Sequence, residues 1–371
     1  MMNQMRSVLI ILLAHVLLFL SCKNEQKTAT QSADNSWYSV NDFDSVRKID
    51  THIHLNTDET AFIEQATADN VQFLDIVDDR PFGVPMNEQE RIAIRQIQAF
   101  PDRVEYATTF SVSGFNSEGW QTATIDHVRS AIQNGAIAVK VWKNIGMDLK
   151  DADGKFVMID NPKFDTILQF LAQNKIPLIG HLGEPRECWL PLDQMVLHKG
   201  YYSEHPEYHM YLHPEFPSYE KQVQARDNML EKHPDLIFIG AHLGSIEWSL
   251  DELAKRLDKY PNMNVDLARM SDLYLHAKNN WQKAHDFFIK YQDRLLYATD
   301  VQVGVAKDAK EMKRHVHESR MYYWSFFVSD QAFTEEGIGS FKGLHLPKEV
   351  VDKFYFKNAQ KWIPGLKKNW Q

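Results

Sequence analysis

From Val46 onward, short apolar runs alternate with stretches whose apolar residues recur at helical spacing. The runs read as strands over 48–55, 71–77, 104–110, 136–142, 177–180, 236–241, 264–267 and 294–299. The stretches between them predict helices over 57–69, 87–100, 125–134, 164–174, 218–232, 245–259, 281–291 and 309–332, with a last helix over 347–362. Local signals mark the boundaries. Thr57 or Asp58 can cap the first helix, Pro101 and Asp102 end the second, and Gly135 stops the third. Residues 182–217 have no such period and are rich in His, Tyr, Trp and Pro; a loop of that size inside a compact domain is usually functional.

Strand–helix alternation predicts a parallel sheet with crossover helices. An open doubly wound sheet and a closed (β/α)8 barrel of the TIM type both satisfy it. The number of strands, and the lack of a G-x-G-x-x-G turn after the first, favour the barrel. Barrel active sites lie at the C-terminal ends of the strands. His52 and His54 stand there on strand one, His181 after strand five, His242 after strand six and Asp300 after strand eight.

His52 and His54 are two apart on a strand, so their side chains leave the same face. A lone strand-end histidine is more often a structural hydrogen-bonding residue. The H-x-H spacing shifts the reading to a metal pair, because neutral imidazole is the commonest ligand of zinc and related ions. Lys140, between Val139 and Val141 on strand four, points inward, which is costly unless the amine is paired or modified.

Composition narrows the partners. The 371 residues are 44% hydrophobic and 25% charged, with a formal net charge of -9 and no basic run, so nucleic acid is not expected as a partner. The N-terminus carries Arg6, an apolar run over 7–20 and Leu20-Ser21-Cys22, which read as a signal peptide over 1–21. The ending resembles a bacterial lipobox, with Phe19 where Leu is more usual. That resemblance implies lipidation of Cys22, a polar flexible tether over 22–45, and a barrel over 46–371 anchored to a membrane at the periplasmic or outer-membrane face. Cys188 would then be the one cysteine left, with no disulfide to form.

Five elements in chain order resemble the amidohydrolase superfamily, nearer the amidohydrolase-related branch that includes aminocarboxymuconate-semialdehyde decarboxylase. They are Asp50-Thr51-His52-Ile53-His54, Lys140 within 135–141, Ile179-Gly180-His181, Gly240-Ala241-His242-Leu243-Gly244 and Ala298-Thr299-Asp300, with a weaker echo at Asn358-Ala359. The resemblance implies that His52, His54, His181 and Asp300 hold a divalent metal, zinc first and manganese second, as one or two ions. Lys140 is either a carboxylated bridge between two metals or, in the mononuclear case toward which the reading leans, a substrate contact. His242 is a ligand or a catalytic group.

The implied chemistry is hydrolysis of a small amide, ester or lactone by metal-activated water, with Asp300 taking the proton and His242 polarising the carbonyl. Two alternatives stay open: decarboxylation or hydration of an unsaturated carboxylic acid, and a non-catalytic surface binding module. In the long loop, Arg186 can clamp a substrate carboxylate or pair with Glu184 or Glu187. His205, His209 and His213 suggest a second metal site, which Pro206 and Pro214 weaken.

Overall fold

The computed structural model describes residues 36–367. The expected signal peptide, Cys22 and residues 22–35 of the expected tether lie outside them.

Strands β1 (Lys48–Leu55), β2 (Val71–Ile76), β3 (Val104–Thr109), β4 (Ala136–Val141), β5 (Leu178–Gly180), β6 (Phe238–Gly240), β7 (Met263–Asp266), β8 (Leu295–Leu296) and β9 (Val301–Val303) form one sheet in the order β8-β7-β6-β5-β4-β3-β2-β1-β9. All its pairings are parallel. β8 and β9 are two pieces of one segment. The first pairs with β7 and the second with β1, so the segment joins the two edges and the barrel closes. Backbone hydrogen bonds from Thr51 to Tyr297 (3.0 Å) and from Asp300 to His52 (2.8 Å) complete the seam. The expected (β/α)8 barrel is therefore the one that forms, with its eighth strand broken between Leu296 and Val301, just before which stands Asp300.

Inside the barrel, Ile49, Leu74, Ile76, Ala107, Ala138, Ile179, Ile239 and Leu296 pack with Ala359, Ile363 and Leu366 from the C-terminal run. That apolar plug fills the lower part and leaves the polar strand ends to the mouth. Gly240 is required where it is: a Cβ there would lie 2.7 Å from the Cα of Gly244. The chain turns back so closely because His242, Leu243, Gly244 and Ser245 all adopt positive φ, between 54° and 66°. This left-handed turn displaces the start of the helix expected from residue 245. The helix begins instead at Leu250, where Ser249 accepts a hydrogen bond from the Glu252 amide (3.3 Å).

Three other expectations change. Residues 36–45 are packed rather than free: Phe43 is 2% exposed, and the Tyr38 hydroxyl donates to Asp352 (2.6 Å). The helix expected to reach residue 332 stops at Val328, and β10 (Ala332–Glu335) and β11 (Gly339–Lys342) form an antiparallel hairpin in which Phe333 stacks on Phe341. Cross-strand aromatic pairing of this kind competes effectively with one more helical turn. A helix over Met270–Asn279, not foreseen, buries Met270, Leu273, Tyr274 and Ala277.

Asp75, on β2, is buried and its Oδ1 accepts the Leu55 amide (2.8 Å), while Oδ2 has no partner among the described residues. Burial pushes its carboxyl up to about 8. The folded state thus binds this proton more tightly than the unfolded chain does. The associated stabilisation is complete below about pH 4 and is lost as pH rises through about 8. Asp75→Asn is expected to shrink the difference in denaturant midpoint between pH 5 and pH 8 and to be more stable than the parent at pH 8. An unchanged difference would show that Asp75 is ionised in the fold.

Candidate metal centre and active-site cavity

His52, His54 and Asp300 come together at the mouth of the barrel. Their candidate ligand atoms all lie within 4.8 Å of one another. Asp300 Oδ1 is 3.4 Å from Nε2 of His52 and 3.4 Å from Nε2 of His54. Each imidazole is oriented through its other nitrogen. His52 Nδ1 donates to Asp266 Oδ2 (2.7 Å) and His54 Nδ1 to the Ile76 carbonyl (2.8 Å). Both protons are thereby fixed on Nδ1, and both Nε2 atoms present lone pairs toward Asp300. Two such nitrogens and a carboxylate oxygen are a donor set suited to zinc or manganese.

The backbone is strained to achieve this. Asp300 has φ 57° and His242 φ 56°, left-handed conformations that cost on the order of 1–3 kcal/mol each for a residue other than glycine. Both are held by hydrogen bonds from their amides: Asp300 to the His52 carbonyl (2.8 Å) and His242 to Asp266 Oδ1 (2.7 Å). Asp50 ties the same strands below the site, accepting from the amides of His52 (3.2 Å) and Thr299 (3.1 Å) and from the Thr299 hydroxyl (2.6 Å).

Burial would raise the Asp300 carboxyl, but the surrounding imidazoles, His52 first, outweigh it and hold the group well below the usual carboxylate range. Burial lowers His54, brings His242 down to about 4 and takes His181 well below its ordinary value, so these three rings are neutral at pH 7. His242 Nδ1 faces the Ala268 carbonyl (3.2 Å), and its Nε2 lies 3.5 Å from Asp300 Oδ2. His181 packs edge-on against His242, with centroids 4.5 Å apart, and is not part of the three-residue group. Lys140 is 1% exposed, with Nζ 3.2 Å from His52 Nε2, and burial lowers its pKa.

Above the centre lies a cavity of about 350 Å3, bordered by Asp300, His181 and His242 on one side and by Lys143, Glu184, Glu247 and Arg269 on others. The 182–217 segment covers it and has a small core of its own, with Cys188, Met195, Tyr202 and Met210 buried together with Met147. Arg186 is not among the residues lining the cavity; its guanidinium sits over the Trp248 ring, 4.2 Å from the centroid. His209 and His213 direct Nε2 to the carbonyls of Leu190 (2.7 Å) and Pro206 (3.0 Å), the contacts of structural histidines.

Asp266 was not singled out from the sequence, although it ends strand seven as the chosen residues end theirs. In Asp266→Asn the amide NH2 would face His52 Nδ1 and force the ring proton onto Nε2, the atom turned toward Asp300. Metal affinity is expected to fall roughly 10–100-fold, read by competition with a chromophoric chelator. Parent-like affinity would remove Asp266 from the centre.

A protein-family model described as Amidohydrolase matches residues 49–364. Among solved structures, 2,6-dihydroxybenzoate decarboxylase from Rhizobium is similar, with a TM-score of 0.53 and 12% identity over 86% of this chain and 99% of that one. A 2,6-dihydroxybenzoate decarboxylase complexed with 2,6-dihydroxybenzoate aligns with a TM-score of 0.52 and 13% identity over the same shares of the two chains. At such identities the likeness speaks for the fold alone. No curated protein sequence matches the chain significantly. The family match spans the barrel from β1 to the C-terminal run and includes every strand that supplies the centre, so this chain belongs to the amidohydrolase family.

Proposed function

We propose that this protein is a metal-dependent hydrolase of a small amide, ester or lactone. The observation that carries the reading is the convergence of two lone-pair nitrogens and an ionised carboxylate beside a neutral histidine, with that carboxylate and that histidine lining one cavity. His52, His54 and Asp300 would hold the ion, which when bound supplies Lewis acidity that activates water and polarises the substrate. Asp300 Oδ2 is the atom placed to take the proton of the attacking water. His242, with its ring proton held on Nδ1 by the Ala268 carbonyl, offers Nε2 as the next acceptor and returns the proton to the leaving group. It therefore acts as a base rather than as the donor that would polarise a carbonyl. Lys140, whose Nζ is 3.2 Å from His52 Nε2, would contact substrate or, in carboxylated form, help hold the ion.

The N-terminal pattern supports export and a lipid anchor at Cys22, which would present the enzyme at a membrane surface to small molecules outside the cytoplasm. A second reading, decarboxylation of a carboxylic acid, is favoured by the activity of the two fold neighbours.

A panel of lactones, aryl esters, N-acyl amides and 2,6-dihydroxybenzoate, assayed by product mass with zinc or manganese added, distinguishes these. The expected result is turnover of at least one lactone, ester or amide, abolished by a chelator and restored by metal. Release of carbon dioxide without hydrolysis would transfer the assignment to the second reading, and no turnover by metal-loaded protein would favour a binding module.

A further inference from the structure

Glu247 has no part in the chemistry described so far. It lies on the loop that follows the left-handed turn after β6, lines the same cavity as Asp300, and is 2% exposed. One carboxyl oxygen, Oε1, accepts the Arg186 amide (2.8 Å). The other, Oε2, has no hydrogen-bond partner among the described residues. Oε2 is itself buried, and a buried carboxyl oxygen left unpaired is costly, so its place in a residue at the cavity wall calls for an explanation.

The remaining walls say what kind of group could pair with it. Both cavity cations are already neutralised: Lys143 contacts Glu184, and Arg269 pairs with Asp272 (2.8 Å) while also donating to His198. His198 is in turn held by Glu187 (2.8 Å). A substrate carboxylate at this end would find no unpaired cation among the described lining residues and would face Glu184 and Glu247. A hydroxyl would find an acceptor.

We propose that Glu247 is a specificity-determining residue, its Oε2 taking the hydroxyl of an uncharged, hydroxylated lactone or ester at a position other than the reacting group. This deepens the hydrolase reading and rests on it. Burial, with Asp272 nearby, pushes the Glu247 carboxyl up to about 7, while Arg269 and the Arg186 amide restrain the rise. Such a carboxyl can accept or donate toward a hydroxyl near neutral pH, whereas toward a carboxylate it offers a single bond only when protonated.

The test separates recognition from turnover. Calorimetry on the zinc-loaded protein would compare three probes: δ-valerolactam, its polyhydroxylated counterpart gluconolactam, and glutarate. The parent is expected to bind gluconolactam about tenfold more tightly than either of the others, the effect of one well-made hydrogen bond. Glu247→Leu is expected to lose that preference. Glu247→Gln keeps an acceptor for the Arg186 amide and should retain part of it, which a merely structural role would not predict. Equal affinity for the two lactams, an unchanged preference in Glu247→Leu, or tighter binding of glutarate would overturn the proposal. Hydrolysis of δ-gluconolactone is followed in parallel. Hydroxyl preference without hydrolysis would support the role of Glu247 and count against the hydrolase reading alone, while hydrolysis without hydroxyl preference would do the reverse.

Discussion

Asp300→Asn is expected to lower kcat/KM by roughly 10^3-fold or more while leaving the fold intact. General acid–base catalysis alone typically contributes about 10^2–10^4-fold, and the substitution also removes the anionic member of the ligand group. The backbone at this position accepts the change. Residue 300 sits at φ 57°, a conformation that asparagine tolerates at least as well as aspartate, and its amide bond to the His52 carbonyl does not depend on the side chain. Thermal stability should therefore hold or rise as activity disappears. A variant that is active, or one that is inactive because it is unfolded, would contradict the role given to this carboxylate.

The second large effect lies at the opposite end of the barrel. Asp69 is 1% exposed; its Oδ2 accepts from Arg320 (2.8 Å) and its Oδ1 from His317 (2.7 Å) and Gln65 (2.8 Å). Beside it Lys48, the first residue of β1, buries its ammonium among the carbonyls of Phe43, Val46 and Asp69 (2.5–2.7 Å). Removing one partner of a buried pair strands the other charge, so Asp69→Ala is expected to cost about 3–5 kcal/mol. In Asp69→Ala/Arg320→Met no stranded guanidinium remains, and much of the loss should return. Denaturation of the two singles and the double measures the coupling. Simple additivity would show that the pair is not an interacting unit. Because this network is far from His54 along β1, kcat/KM of the folded protein should not change.

The parts of this molecule that were legible in the sequence share a cause. Parallel strands buried on both faces are written as short apolar runs, and in a closed barrel their C-terminal ends converge whatever lies between them. That is why the sequence alone groups His52, His54 and Asp300, which are so far apart along the chain. Asp266 obeyed the same rule and was legible in principle. Glu247 and Arg269 were not, because they reach the cavity through loop geometry, and no sequence period encodes a run of four left-handed residues after β6. Arg186 illustrates the converse: a cation in the right loop whose stacking partner, Trp248, belongs to another connection. The helix Met270–Asn279 did carry an apolar spacing, but over only ten residues in a connection the barrel already filled with 281–290. The hairpin after Val328 depends on Phe333 meeting Phe341, a pairing that helical spacing alone hides.

The claim on which the rest depends is that a histidine pair on strand one and a carboxylate at the break in strand eight close on a single divalent cation. Elemental analysis of the purified protein after zinc loading and exhaustive dialysis, with and without bicarbonate, tests it most directly. The expected result is one tightly held ion per chain, unaffected by bicarbonate and lost in His52→Ala/His54→Ala. A second ion that requires bicarbonate would assign Lys140 to a carboxylated bridge. Protein that retains no metal, or retains it equally without the two histidines, would contradict the claim.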